Sequence, residues 1–169
     1  LDPSKKVKIL DIAAGHGMFG ITFAKKYPLA EITGQDWEQV LEVAKSNAKK
    51  HGVQDRYTTI PGNFFKVDLG KSKYDVVLIP NFIHHFGFDE NVQILKKVFE
   101  ALKSGGMVMI ADLEVDESGL QGGVIFRVVM LAVTQKGDVY TKRQFIEMCE
   151  KAGFVGTKVH SKPGASSVI

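Results

Sequence analysis

One cysteine in 169 residues, Cys149, leaves no pair for an intrachain disulfide, and its place in a helical pattern reads as a small buried hydrophobe. No apolar run approaches the roughly 20 residues needed to span a bilayer, and the first ten residues carry no signal-peptide pattern. A cytoplasmic protein with no membrane partner is expected. Charge of one sign is also scarce. The net charge is +3, and Lys45, Lys49 and Lys50 are spread along a helical stretch rather than gathered with interleaved aromatics, so no nucleic-acid partner is expected. No compact Asp/Asn cluster offers the oxygen ligands of a Mg²⁺ site, and no metal is expected. Repeats, low-complexity tracts and interdomain linkers are missing too. With 44% apolar residues, the chain suits one domain, residues 1–169, around its own core.

What is present alternates between strand and helix. Val7 to Ala13 is an apolar run closed by a glycine-rich turn, and the helical stretch after it stops at Tyr27 before Pro28. Glu31 to Gln35 predicts a second strand, followed by a helix from Glu38 to His51 with Val40, Ala44 and Ala48 on one face and Gly52 at its carboxyl cap. Tyr57 to Ile60 is a third strand. Tyr74 to Ile79 is a fourth, and its unbroken Val76-Val77-Leu78-Ile79 run suits burial on both faces of a parallel sheet. Asp89 is placed to cap a helix bearing Val92, Leu95, Phe99 and Leu102, ended by Ser104, Gly105 and Gly106 before a strand from Met107 to Leu113. Gly122 to Val133 predicts an apolar helix interrupted only by Arg127, and Thr141 with Gln144 forms a capping box for a helix closing at Gly153. Gly156 to His160 and Ser166 to Ile169 predict two short strands joined through Pro163 and Gly164. The whole reads as an α/β doubly wound, mostly parallel sheet with a C-terminal antiparallel hairpin.

Asp11-Ile12-Ala13-Ala14-Gly15-His16-Gly17 lies where the first strand becomes a helix, and open α/β sheets bind ligands at such turns. With Gly20 the loop satisfies G-x-G-x-x-G, a pattern shared by dinucleotide oxidoreductases and methyltransferases and also compatible with a plain tight turn. Asp11, at the strand end, is expected to point into the crevice, where it would repel a pyrophosphate but favour the cationic sulfonium and ammonium of S-adenosylmethionine. Asp36, at the end of the second strand, is placed to accept hydrogen bonds from both ribose hydroxyls, or to cap the next helix. Trp37 beside it is a candidate for packing on an adenine, or a half-buried core aromatic. A dinucleotide oxidoreductase remains a competitor, without a Tyr-x-x-x-Lys pair to support it, as does a catalytically silent cofactor-binding module.

The segments VKILDIAAGHGMFGI, ITGQDWEQVLEVAKSNA, IPGNFF, NFIHHF and VYTKRQFIEMCEKAGF, in this order, resemble the class I S-adenosylmethionine-dependent methyltransferases with a Rossmann-like fold. Within them the chain is similar to the small-molecule O-methyltransferases related to caffeic acid and hydroxyindole enzymes. That resemblance implies that Gly15 and Gly17 contact the cofactor backbone, Asp36 the ribose, and Asn63 with Phe64 the adenine region. Asn63 stands where the family usually has Asp, and its carbonyl oxygen can still accept from an adenine amino group. The resemblance further implies a small-molecule acceptor and a homodimer formed through an N-terminal dimerisation domain absent from this chain, with the apolar face of the Gly122 to Val133 helix covered in that dimer. Acceptor-lining residues are expected within Gly119 to Val139.

Asn81-Phe82-Ile83-His84-His85-Phe86 follows the buried fourth strand, at the carboxyl edge of the sheet. A neutral histidine there is suited to take the proton of a hydroxyl as it attacks a methyl group. The resemblance places His84 at the catalytic position and Asp112 where relatives carry an acid flanking it, to orient the imidazole or bind the acceptor. The second flanking acid of the family is replaced by Val139, with Asp138 alongside. A C- or N-methyl acceptor stays open, because the fold does not fix the nucleophile.

Overall fold

The computed structural model describes residues 1–118, 123–161 and 167–169. In chain order the elements are β1 (Val7–Ile12), α1 (Met18–Lys26), β2 (Ala30–Asp36), α2 (Glu38–Lys50), β3 (Tyr57–Pro61) and β4 (Tyr74–Pro80). There follow α3 (Phe88–Ala101), β5 (Leu102–Asp112), β6 (Glu114–Val115), α4 (Val124–Val133), β7 (Tyr140–Thr141), α5 (Lys142–Lys151) and β8 (Ser167–Val168). The chain divides into two compact units, Leu1–Pro80 with Glu100–Val108, and Asn81–Phe99 with Met109–Ile169.

In the first unit the strands run in the order β3-β2-β1-β4, followed by β5. Pairing of β1 with both β2 and β4 is parallel, with Ile9 opposite Ile32 on one side and Val76 on the other. Chain order reverses at β1, so the carboxyl ends of β1 and β4 form the switch point at which such sheets bind ligands. As its sequence predicts, β4 is buried from Val76 to Ile79. Ile21 and Ala24 of α1 and Leu41, Ala44 and Ala48 of α2 complete the core. Leu41, rather than the expected Val40, joins the two alanines. Truncating any of the large buried aliphatics to Ala costs about 2–5 kcal/mol. Helix α2 ends in a Schellman arrangement, in which Gly52 at φ 69 lets its own N–H reach the Lys49 carbonyl and the Val53 N–H reach that of Ala48.

Helix α3 and strand β5 depart from the sequence reading. Asp89 lies inside the first turn; Gly87 opens the helix instead, with its N–H donated to the Glu90 carboxylate at 3.0 Å and its carbonyl receiving the Asn91 N–H. The helix stops at Ala101, before Ser104, because the N–H groups of Ser72 and Lys73 take the Glu100 and Ala101 carbonyls. Strand β5 therefore starts at Leu102, and Lys103 anchors it by placing its ammonium 2.8 Å from both Asp75 oxygens.

In the second unit, Ile94, Leu95 and Val98 of α3 and Phe145, Met148 and Cys149 of α5 are buried. Cys149 is the buried hydrophobe expected, its thiol pushed up to about 11 by burial. Thr141 and Gln144 make the predicted capping box for α5. The end of β5 pairs antiparallel with β8, Ala111 opposite Val168, and His160 forms a single antiparallel bridge with Val168. The expected hairpin is thus present as a closing antiparallel pair, its first strand reduced to one residue; Pro163, Gly164 and Ser166 lie outside the described residues. A two-stranded parallel sheet, β6 with β7, was not anticipated from the sequence. Helix α4 has Gly123 at its N-cap, Gly122 lying outside the described residues, and buries only Met130 while Ile125, Val128, Leu131 and Val133 are exposed.

Candidate functional site

The first unit brings three strand ends together around the glycine loop. Ala13, just past β1, takes a left-handed φ of 49°, uncommon for a residue with a Cβ, and Gly15 and Gly17 follow at 55° and 78°. The Ala14 N–H reaches the Gln35 carbonyl at 3.0 Å, and the Gly17 N–H folds back to that of Ala14 at 2.7 Å. Asp36 is the joint. Its carboxylate accepts the Gly15 N–H at 2.8 Å and the Trp37 N–H at 2.7 Å, while its carbonyl accepts the Gly62 N–H at 2.8 Å. Gln35, a buried polar residue the sequence reading passed over, donates its side-chain amide to the Gly62 carbonyl at 2.7 Å. Loops after β1, β2 and β3 are thereby stitched to one another.

Three expectations about this loop need correction. Asp36 does not cap α2, because Trp37 occupies the N-cap position. Trp37 is 56% exposed and is not a core aromatic. Asp11 is fully buried and does not face an open crevice; one carboxylate oxygen accepts the Gly20 N–H at 2.9 Å, tying the strand end to the first turn of α1. Its other oxygen has no hydrogen-bond partner among the described residues. Burial pushes the Asp11 carboxyl up to about 7, the Gly20 N–H opposing and the Asp36 charge adding to the shift.

Tyr57 is a further residue missed. Its hydroxyl is buried without a partner among the described residues, and a Cβ on Gly34 would come within 2.5 Å of it, one on Gly17 within 2.9 Å. The signal was legible in Gly34, a glycine inside a strand, which marks close approach of another group. Asn63 accepts the Phe65 N–H at 2.9 Å through its side-chain oxygen; Phe64 is buried and Phe65 half exposed. A separate cavity of about 370 Å³, lined by Lys8, Glu31, Arg56, Thr58 and Lys73, lies at the amino ends of these strands and includes none of the expected site residues.

The second unit holds the histidine pair. Asn81 leaves β4 at a left-handed φ of 50°, its N–H donated to the Ala111 carbonyl at 2.8 Å, and Ile83–His85 form a single 3-10 turn. His84 Nδ1 lies 2.7 Å from Asp112 Oδ1, and both side chains are buried. The same Asp112 oxygen accepts the Leu113 N–H at 2.8 Å, which fixes the carboxylate. Phe126 of α4 meets the His84 ring edge-on at 4.9 Å, and the His85 ring lies 4.3 Å from it. His85 is held below the ordinary histidine range by burial first and His84 second, with Asp112 opposing. Asp138 is not a free flanking acid: Arg127 grips its carboxylate at 2.6 and 3.0 Å, and Val139 beside it is buried. Of the expected acceptor-lining stretch, residues 119–122 lie outside the described residues. Among the described residues no three His, Cys, Asp or Glu side chains cluster to hold a metal ion, and no helix is long and apolar enough to cross a membrane.

A parallel sheet with a glycine loop after β1, an acid ending β2 and a buried histidine–aspartate pair after β4 and β5 defines a Rossmann-like methyltransferase fold. The family model for the O-methyltransferase domain matches residues 3–155, and the chain belongs to that family. Over its whole length it is 30% identical to the 3-hydroxy-5-methyl-1-naphthoate 3-O-methyltransferase of Streptomyces sahachiroi, of which it covers 50%. A crystal structure assigned as an O-methyltransferase of Nostoc punctiforme matches 99% of the chain with a TM-score of 0.93 and 42% identity, over 52% of that protein. Human N-acetylserotonin methyltransferase, crystallised with S-adenosylmethionine, shares the fold at a TM-score of 0.83 and 22% identity, over 99% of this chain and 48% of that one. The chain thus spans about half the length of the relatives it matches.

Proposed function

We propose that this chain is the cofactor-binding, catalytic part of an S-adenosylmethionine-dependent O-methyltransferase acting on a hydroxyl of a small aromatic molecule, with His84 as general base. Family membership supports the reaction class, and the human relative crystallised with S-adenosylmethionine supports the donor. The glycine loop suits such a ligand. A Cβ on Gly15 would meet only the Ala13 carbonyl oxygen, at 3.9 Å, which leaves its backbone open to close approach. Asp36 spends one lone pair of each carboxylate oxygen on backbone N–H groups, and the remaining ones can accept from ribose hydroxyls. When bound, the donor supplies a methyl group on a positively charged sulfur and leaves as a neutral thioether.

The observation that carries the base is the buried His84–Asp112 pair. A carboxylate accepting at Nδ1 selects the tautomer with its proton there, and leaves the Nε2 lone pair to take the acceptor proton. The imidazolium so formed sits against the Asp112 carboxylate, in surroundings of low dielectric where that pairing is strong. A phenol, with its pKa near 10, gains from such a base as the new C–O bond forms. The test is single-turnover methyl transfer to a panel of phenols by His84→Ala and His85→Ala proteins. Loss of rate in the first alone supports the assignment, and near wild-type rates in the first remove it.

The reading carries with it a homodimer, formed with a second copy through a domain outside this chain. Relatives about twice as long as the chain, and the exposed Ile125, Val128, Leu131 and Val133 of α4, support it. Light scattering on the full-length protein, with Ile125→Asp as the perturbation, tests it; a monomeric full-length protein would remove it.

A further inference from the structure

The turn that carries His84 is gripped from behind. Three of its carbonyls are taken by donors from elsewhere in the second unit: the Asp138 N–H reaches that of His84 at 3.1 Å, and the Tyr140 hydroxyl donates to that of Phe86. Asn91 alone holds two, its side-chain amide donating to the Ile83 carbonyl at 3.0 Å and to the Phe86 carbonyl at 3.1 Å. Those two carbonyls bracket the His84-His85 pair.

Asn91 is fully buried, on the face of α3 that also presents Leu95 and Val98 to the core. Burying a side-chain amide is unfavourable unless its hydrogen bonds are made, and a leucine there would serve both the helix and the core better. A polar residue in such a place has its use in geometry. The backbone N–H of Asn91 is already fixed in the first turn of α3 by the Gly87 carbonyl, so its amide reaches the turn from a rigid base. The register that matters is short. A shift of the turn by about 1 Å lengthens the 2.7 Å contact between His84 Nδ1 and Asp112 Oδ1 beyond hydrogen-bond range. Gly137 fits the same picture, since a Cβ there would come within 2.4 Å of the His84 carbonyl oxygen and push the turn away.

We infer that Asn91 is a positioning residue for the His84 base: by holding both ends of the Ile83–Phe86 turn it keeps Nδ1 on Asp112 and Nε2 free. The inference rests on His84 being the base, as proposed above, and its consequence is readable without turnover. Two-bond proton–nitrogen correlation spectra of histidine-labelled protein report which ring nitrogen carries the proton. His84 is assigned by the signal lost in His84→Gln. Wild type is expected to show the Nδ1-protonated tautomer. Asn91→Leu, similar in volume but without a donor, is expected to show a mixture of tautomers while S-adenosylhomocysteine affinity by calorimetry stays within about twofold, because the cofactor loop does not depend on this turn. A purely structural role would lower the melting temperature and leave the tautomer alone. A folded Asn91→Leu protein with the wild-type His84 tautomer overturns the inference. If Asn91→Leu does not fold, Asn91→Ala decides, since it removes the same two donors without adding bulk; an unchanged tautomer there overturns the inference, and a mixture supports it. Should His84→Ala keep full methyl-transfer activity, the base assignment falls while the tautomer result still judges the positioning.

Discussion

Asp112 Oδ1 has two partners at once, His84 Nδ1 at 2.7 Å and the Leu113 N–H, which donates to it at 2.8 Å. This sharing decides what a conservative change can do. In Asp112→Asn the oxygen of the amide is expected to stay at the shared position, because the alternative turns an NH2 group toward two donors. The histidine is then expected to keep its tautomer and to lose the charge proposed to stabilise the imidazolium. The rate on a phenol is expected to fall by about 10- to 100-fold in Asp112→Asn, and by roughly 10² to 10⁴ in His84→Ala, with cofactor affinity kept in both. Single-turnover rates and calorimetry check this. Equal rates in Asp112→Asn and wild type would show that the carboxylate only orients the ring.

Asp36→Ala removes a carboxylate that accepts two backbone N–H groups and is proposed to accept from a ribose. Affinity for S-adenosylhomocysteine is expected to drop by about 1.5 to 3 kcal/mol. Asp36→Asn, which keeps one acceptor oxygen, is expected to lie between. Wild-type affinity in a folded Asp36→Ala protein would place the ribose elsewhere.

Asp11 sets a pH dependence. Its carboxyl is raised from 3.8 to about 7 in the folded protein, burial being the main cause. Between those values the folded state holds a proton that the unfolded chain has released, so stability falls as pH rises, on the order of 1 kcal/mol per pH unit, and levels off above the folded value. Asp11→Asn has no such proton. Urea titrations at about pH 5 and pH 8 should show wild type losing stability relative to Asp11→Asn over this interval. A constant difference would mean that the carboxylate is charged throughout.

All elements but the short β6 and β7, and their order, were readable in the chain because they carry local signals: the four-residue run in β4, the Thr141/Gln144 box of α5, Gly52 after α2. The placing of Asp112 near His84 came through family resemblance rather than spacing, and left open whether the acid would orient the ring or bind the acceptor; the structure shows the contact with the ring. What escaped depends on contacts between distant segments. Nothing local distinguishes an Asp11 that braces α1 from one that faces a ligand, since the Gly20 N–H that claims it is nine residues away. Asn91 looked like an ordinary helix residue because its partners lie in the preceding turn. The start of β5 was misjudged for the same reason, the Ser104-Gly105-Gly106 signal for a break being overridden by Asp75 and by the backbone of Ser72 and Lys73.

Gly34 and Tyr57 form the clearest steric lock in the first unit. An alanine Cβ at Gly34 would lie 2.5 Å from the Tyr57 hydroxyl oxygen and 3.1 Å from the ring carbon bearing it. The ring belongs to a buried residue at the start of β3 and cannot move without disturbing the pairing of Tyr57 with Ile32. Gly34→Ala is therefore expected to destabilise by about 1–3 kcal/mol. Tyr57→Phe behaves oppositely. The hydroxyl it removes is buried without a partner among the described residues, so its loss is expected to be neutral or stabilising. The double variant relieves the closest contact but leaves the ring carbon tight, and should recover part of the Gly34→Ala loss. Urea denaturation of the four proteins gives the coupling energy directly. Strict additivity, or a Tyr57→Phe protein clearly less stable than wild type, would mean that the hydroxyl has a partner and that Gly34 is needed for some other close approach.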